Sequence, residues 1–195
     1  YILRDMLKSL FISKVRIRIL EKYLLEPKPA YHVRGLVREL GEEINAVRRE
    51  LLNLKKNGIL KSNKDGNKLM YRLDPTCAII PDLRAMFFKD SPIGVKLINR
   101  LSTIEGIQLA FVTEAFLNKK YESDIDIDML IIGNMKIKEL NTAISALEKE
   151  VGRVVKFAAL KPEDYEFARK KKDPILMNTL EKDRIVIVGK YPDLI

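Results

Sequence analysis

Apolar residues recur along the first part of the chain at helical spacing. Val15, Ile19, Leu20, Tyr23 and Leu24 make one face of a helix that Ser13 can cap and that must end before Pro27 and Pro29. Ala30–His32 reads as a short extended piece. A second helix is predicted over Val33–Leu40, with Val33, Leu36, Val37 and Leu40 inward and Gly41 closing it. After a three-residue step, Val47, Leu51 and Leu54 repeat at i, i+4 and i+7, which predicts a third helix over Ile44–Asn57 with Gly58 as the left-handed residue beyond its end. The periodicity then changes to two. Ile59–Asn63 and Lys68–Leu73 read as strands around Lys64-Asp65-Gly66-Asn67, where Asp-Gly favours a tight hairpin.

The remainder alternates strand and helix. Residues 76–90 read as a connector in which Pro81-Asp82 opens a helix, and Ser91-Pro92 opens another that runs to Leu101. Beyond it the pattern predicts strand Gln108–Val112, helix Ala115–Lys119, strand Asp124–Ile132 and helix Lys136–Val151. Strand Val154–Leu160, helix Pro162–Lys171, a short helix from Pro174 and strand Arg184–Val188 follow. The expected architecture is α+β or α/β in two domains: a helix-turn-helix with a hairpin wing over 1–75, the connector 76–90, and a mixed sheet with helices over 91–195.

Composition narrows the chemistry. Among 195 residues there are one His and one Cys, so a zinc cage or a disulfide framework is excluded. The lone thiol suits a reducing compartment. No stretch reads as a signal peptide or as the ~20 apolar residues of a membrane span, so a cytoplasmic protein without membrane contact is expected. Lys and Arg number 36 against 27 Asp and Glu; residues 1–90 carry a net charge of +8 and the rest only +1. Such an asymmetry fits either a solvated basic surface or a polyanion partner.

The third helix favours the partner. With its apolar stripe buried, Asn45, Ala46, Arg48, Arg49 and Asn53 project elsewhere, offering guanidinium forks for guanine or phosphate and amides for adenine. Lys61, Lys64, Asn67, Lys68 and Arg72 would form a wing along the backbone of double-stranded DNA. The stretch Phe11–Arg72, with a third helix that ends in Lys55-Lys56-Asn57-Gly58-Ile59-Leu60 and flows into a basic hairpin, resembles the winged helix-turn-helix of ArsR-like transcriptional regulators. That resemblance implies a repressor-like homodimer on operator DNA, with recognition helices roughly 34–36 Å apart. Metal sensing does not carry over, because its Cys and His ligands are missing.

In Asp124-Ile125-Asp126-Ile127-Asp128 a period of two would put three carboxylates on one strand face, which suits either a divalent cation or a solvent-facing edge. Leu109–Gly133 resembles the core of the minimal nucleotidyltransferases of the polymerase-beta superfamily, in which a strand leads to Gly-Ser and a helix, then to an Asp-x-Asp strand. The resemblance implies Mg ligands at Asp126 and Asp128, or in a second register at Asp124 and Asp126. Glu114 and Ala115 stand where Gly-Ser would hold phosphates, and the third carboxylate is absent from 154–160. No catalytic residue and no cofactor are therefore expected, with Mg entering only if the site works. Fusion of the two modules is similar to an archaeal-type regulator.

Three functions follow. The first is a DNA-binding regulator whose second domain supports dimerisation or sensing. The second is an active Mg-dependent nucleotidyltransferase modifying a protein, RNA or small molecule. The third is an antitoxin-like module for a protein partner. His32 reads as a packing or phosphate-adjacent residue, Cys77 as a small apolar filler and Lys170–Lys172 as a solvated helix end.

Overall fold

A computed structural model describes residues 6–26, 28 and 30–189, so Pro27 and Pro29 lie outside the described residues. Among the described residues the structure is mixed α+β with two sheets, and it falls into two compact units, divided between Asp90 and Ser91. Among the described residues no helix is long and apolar enough to cross a membrane.

In the first unit, α1 (Met6–Leu10) precedes α2 (Lys14–Leu25), β1 (Tyr31–His32), α3 (Val33–Leu40), α4 (Ile44–Lys56), β2 (Leu60–Asp65), β3 (Lys68–Leu73) and α5 (Ile80–Asp90). The caps act as the sequence requires. Ser13 Oγ accepts from the Arg16 N–H at 3.2 Å, and Gly41 and Gly58 take left-handed φ values of 65° and 73°. His32, expected to be a packing or phosphate-adjacent residue, caps α3: its Nδ1 accepts from the Gly35 N–H at 3.0 Å. Ile19, Leu20, Tyr23 and Leu24 pack with Leu36, Leu40, Val47, Leu51, Leu54, Leu60 and Tyr71 in one core. Ile17, absent from the face read in the sequence, is buried there too.

The sheet order is β1-β3-β2, all antiparallel, and Asp65 pairs with Lys68, so the hairpin turns on Gly66 and Asn67 alone. β2 thus extends two residues further than its apolar stretch suggested. Within the segment read as a connector, α5 sends Leu83 and Phe87 into the same core, and the Phe87 ring lies 6.0 Å from that of Phe11. Pro81-Asp82 opened the helix; the spacing of Leu83 and Phe87 gives it a face to bury.

The second unit holds α6 (Pro92–Ser102), β4 (Ile107–Thr113), α7 (Glu114–Asn118), β5 (Met129–Gly133), α8 (Ile137–Val151), β6 (Phe157–Leu160), α9 (Pro162–Lys170), α10 (Pro174–Glu181) and β7 (Arg184–Val188). Its sheet order is β6-β5-β4-β7; β4 runs antiparallel to both neighbours and β5 parallel to β6. Leu109, Phe111, Leu130 and Ile132 share a cluster with Tyr165 of α9 and Leu176 of α10. Ala110, Val112, Met129 and Ile131, on the alternate positions, are buried as well, so β4 and β5 are covered on both faces. At the far end of β5 the backbones close up: a Cβ on Gly133, whose φ is 152°, would stand 2.0 Å from the Gly106 carbonyl oxygen.

The expected strand over Asp124–Ile132 is corrected: only Met129–Gly133 is strand, and Asp124 and Ile125 lie in a turn. The Asp126 N–H donates to the Ser123 carbonyl at 3.2 Å, while its carboxylate accepts from the Glu122 and Ser123 N–H groups. This side-chain closure of a turn is what Asp offers in preference to a ladder. The three carboxylates therefore share no strand face. Likewise the pairing of β6 begins at Phe157, leaving Val154 72% exposed.

Candidate functional site

α4 presents two opposed stripes. Val47, Leu51 and Leu54 face the core with Glu50, and Asn45, Arg49, Leu52 and Lys56 recur at i, i+4, i+7 and i+11 on the opposite side. Arg48 flanks that outward stripe on one side; Asn53 and Ala46, both half-buried, lie on the other. The five residues expected to read DNA thus divide: Asn45, Arg48 and Arg49 are exposed and adjacent, while Ala46 and Asn53 sit at the margin. Sequence reasoning missed Leu52, 51% exposed, and Lys56. Their i+7 and i+11 spacing from Asn45 was the available signal. Among the described residues neither Arg48 nor Arg49 makes a salt bridge.

Buried polar contacts fix the helix. Glu50, 3% exposed, accepts from Ser13 Oγ at 2.8 Å and from Arg16 Nε at 2.8 Å, tying α4 to the start of α2. Burial opposes ionisation of Glu50, but the Ser13 and Arg16 hydrogen bonds outweigh it and hold the carboxyl below its ordinary range. At the start of α4, Glu43 accepts from the Asn45 and Ala46 N–H groups, both at 2.8 Å, and those bonds lower its pKa too. The helix N-terminus is therefore filled by the chain's own carboxylate.

The pleat divides the hairpin. Lys64 and Leu69 are paired on the face that carries Leu60 and Tyr71 inward, whereas Lys61 with Arg72 and Asp65 with Lys68 point to the other. Lys61 is bound to Asp74 at 2.8 Å, and Asp74 is held down to about 2 by the hydrogen bonds from Lys61 and Thr76. Lys64, Asn67, Lys68 and Arg72 are exposed, which leaves them, rather than Lys61, as the wing's open polar groups.

In the second unit the acidic turn is internally neutralised. Asp128, wholly buried, accepts from Arg153 Nη2 at 2.7 Å, Arg153 Nη1 at 2.9 Å, the Lys156 N–H at 2.9 Å and the Tyr121 hydroxyl at 2.5 Å. Asp126, 2% exposed, accepts from Lys182 Nζ at 2.6 Å, Asn178 Nδ2 at 2.8 Å, Ser123 Oγ at 3.0 Å and the Glu122 and Ser123 N–H groups at 2.7 and 3.0 Å. Burial opposes its ionised form, yet Lys182 and those donors hold the Asp126 carboxyl far below the usual range. Asp124 is exposed.

A carboxylate has about four lone-pair sites. Asp126 takes five donors, and Asp128 takes three on Oδ2 and one on Oδ1; both are buried and already paired with a cation, Lys182 and Arg153, so the residues present do not fit a magnesium pair. The neighbouring phosphate position fits no better. The Glu114 N–H donates to the Asp183 carbonyl at 2.9 Å, and the Glu114 carboxylate accepts from Asn118 Nδ2. A cleft lined by Glu114, Ala115, Asn118, Lys120, Glu122, Asp126 and Lys182 has a volume of about 20 Å³, room for a water rather than a triphosphate. Among the described residues no group of three or more His, Cys, Asp or Glu could hold a metal ion.

No family model matches the chain, and no curated protein matches it. Among solved structures it is similar to reduced HlyU from Vibrio cholerae N16961, at 22% identity over 50% of this chain and 85% of that one, with a TM-score of 0.32. It is also similar to Rv0081 of M. tuberculosis, at 24% identity over 50% and 90%, with a TM-score of 0.33. A third likeness, to human N-acetylserotonin methyltransferase in complex with SAM, has 15% identity over 51% of this chain and 33% of that one, with a TM-score of 0.28. At these scores none of the three assigns the chain to a family; the order α2-β1-α3-α4-β2-β3 with its β1-β3-β2 sheet is what makes the first unit winged-helix-like.

Proposed function

We propose that the chain is a DNA-binding transcriptional regulator of the ArsR-like kind, acting as a homodimer that lays α4 in the major groove and the β2-β3 hairpin along the backbone. The outward stripe of α4 carries this reading. Exposed Asn45, Arg48 and Arg49 stand opposite a stripe that is buried and pinned by Glu50, so the polar face is presented on a rigid support. Lys64, Lys68 and Arg72 supply phosphate contacts, and the +8 charge of residues 1–90 favours a polyanion. The test is binding to duplexes selected from a random pool. Arg48→Ala with Arg49→Ala should cost about 1–3 kcal/mol for each guanidinium–base pairing removed, and Lys64→Ala should lower the salt slope by about one. Unchanged selectivity in the double variant would exclude α4 as the recognition helix.

For the second unit we infer a supporting role, in dimerisation or sensing, without nucleotide transfer. What speaks against transfer is that Asp126 and Asp128 are buried and held by protein donors, Lys182 and Arg153 among them, beside a water-sized cleft. Incubation with labelled nucleoside triphosphates and Mg or Mn tests it: Asp126-dependent transfer of label would overturn the inference.

A further inference from the structure

Leu52 is 51% exposed on the outward stripe of α4, where every other member is polar. Its surface neighbours three and four residues away are Arg48, Arg49, Lys55 and Lys56, all cationic, all exposed, and none in a salt bridge among the described residues. A lone exposed leucine needs no explanation on an ordinary surface, but one ringed by four such cations constrains its partner. The partner must be anionic around an apolar group. A second copy of this patch would set eight cations against each other, which excludes a two-fold contact of the patch with itself. Duplex DNA has the required chemistry: phosphates line the rim of the major groove, and the thymine C5 methyl is the apolar group on its floor.

We propose that Leu52 is a specificity-determining residue that contacts a thymine C5 methyl, flanked by phosphate or guanine contacts from Arg48, Arg49, Lys55 and Lys56. This rests on the DNA-binding reading and adds a base to it. The leucine side chain gains from the methyl by excluding water, at about 0.8 kcal/mol per methyl-sized group, or about fourfold in affinity. Glu43 and Glu50 act on the arginines only through space, and neither forms a salt bridge with Arg48 or Arg49 among the described residues.

The test uses the intact chain and the tightest duplex selected from a random pool. Each thymine is replaced in turn by deoxyuridine, which removes the methyl and leaves pairing unchanged, and affinity is read by fluorescence anisotropy. At one or two positions the replacement should weaken the wild-type chain about fourfold. Leu52→Ala should bind the thymine duplex about as weakly as wild type binds the deoxyuridine one, and be indifferent to the replacement there. Leu52→Met should restore the preference. A wild-type chain that binds selectively but senses no thymine methyl overturns the Leu52 assignment alone, as does a methyl preference that survives in Leu52→Ala. A chain that binds no duplex, or prefers an acidic peptide to DNA, overturns the underlying reading as well.

Discussion

Replacing Arg153 by Met would expose the energetic role of the acidic turn. Asp128 is wholly buried, and the Arg153 side chain is 25% exposed, so the pair sits at the edge of the interior with its negative member inside. Truncation removes both guanidinium hydrogen bonds, at 2.7 and 2.9 Å, and leaves the carboxylate with only the Tyr121 hydroxyl and the Lys156 N–H. Removing one partner of a buried pair costs about 3–5 kcal/mol. The two remaining donors and the partial exposure of Arg153 put this case near the lower figure, about 3 kcal/mol, or a melting shift of roughly 12 °C or more for a unit of this size. Urea unfolding followed by circular dichroism, with hydrogen exchange to assign the transition to residues 91–195, would measure it. The companion Arg153→Met with Asp128→Leu removes the stranded charge. It should recover most of the loss, leaving about 1 kcal/mol for the orphaned Lys156 N–H. A single variant that loses under about 1 kcal/mol, or a double variant no better than the single, would mean that the guanidinium does not neutralise Asp128.

Lys182→Met probes Asp126, whose folded-state pKa is depressed. A depressed carboxyl contributes stability above its unfolded pKa of about 3.9 and loses it as pH falls towards the folded value, so the wild-type advantage should be full near pH 6 and shrink below about pH 4. An advantage undiminished at about pH 3 in urea melts would contradict this. Glu50→Gln should loosen α4 from α2 and cost about 1–3 kcal/mol in the first transition, since Arg16 and Ser13 lose a charged acceptor. A loss within about 0.5 kcal/mol, the ordinary range for surface substitutions, would count against it. Gly133→Ala should destabilise far more than Gly152→Ala, because an added Cβ meets the Gly106 carbonyl at 2.0 Å in one and open space in the other; equal melting shifts would refute the close approach. Millimolar Mg or Mn should move neither transition, whereas an ion bound at about a hundred times its Kd would add about 2.7 kcal/mol.

Much of this fold was legible because local chemistry marked its ends. Ser13, Gly41, Gly58 and Ser91-Pro92 cap or close helices, and the hairpin turns on Gly66-Asn67, one residue beyond the Asp65-Gly66 signal. These signals lie within four residues of what they determine. The acidic run misled because alternating Asp and Ile mimic a strand, while the donors that set its true conformation include near neighbours and residues 25 and 56 positions away, at Arg153 and Lys182. No local rule connects those. Lys61 was placed on the wing for the same reason: its partner Asp74 lies beyond the opposite strand of the hairpin. Leu52 belongs to neither the apolar stripe nor the polar set read in the sequence, because a base reader was sought among polar side chains, although its angle on the α4 wheel points out.

Glu43 already fills the two amides that open α4. A DNA phosphate arriving there would find a negative charge instead of free N–H donors, so on the proposed reading grip on the backbone would fall to long lysine and arginine arms. Such arms displace the counterions condensed on the DNA and hold no fixed geometry. A regulator that held DNA in this way would let go of unrelated sequence readily as salt rises, trading lingering for frequent short visits.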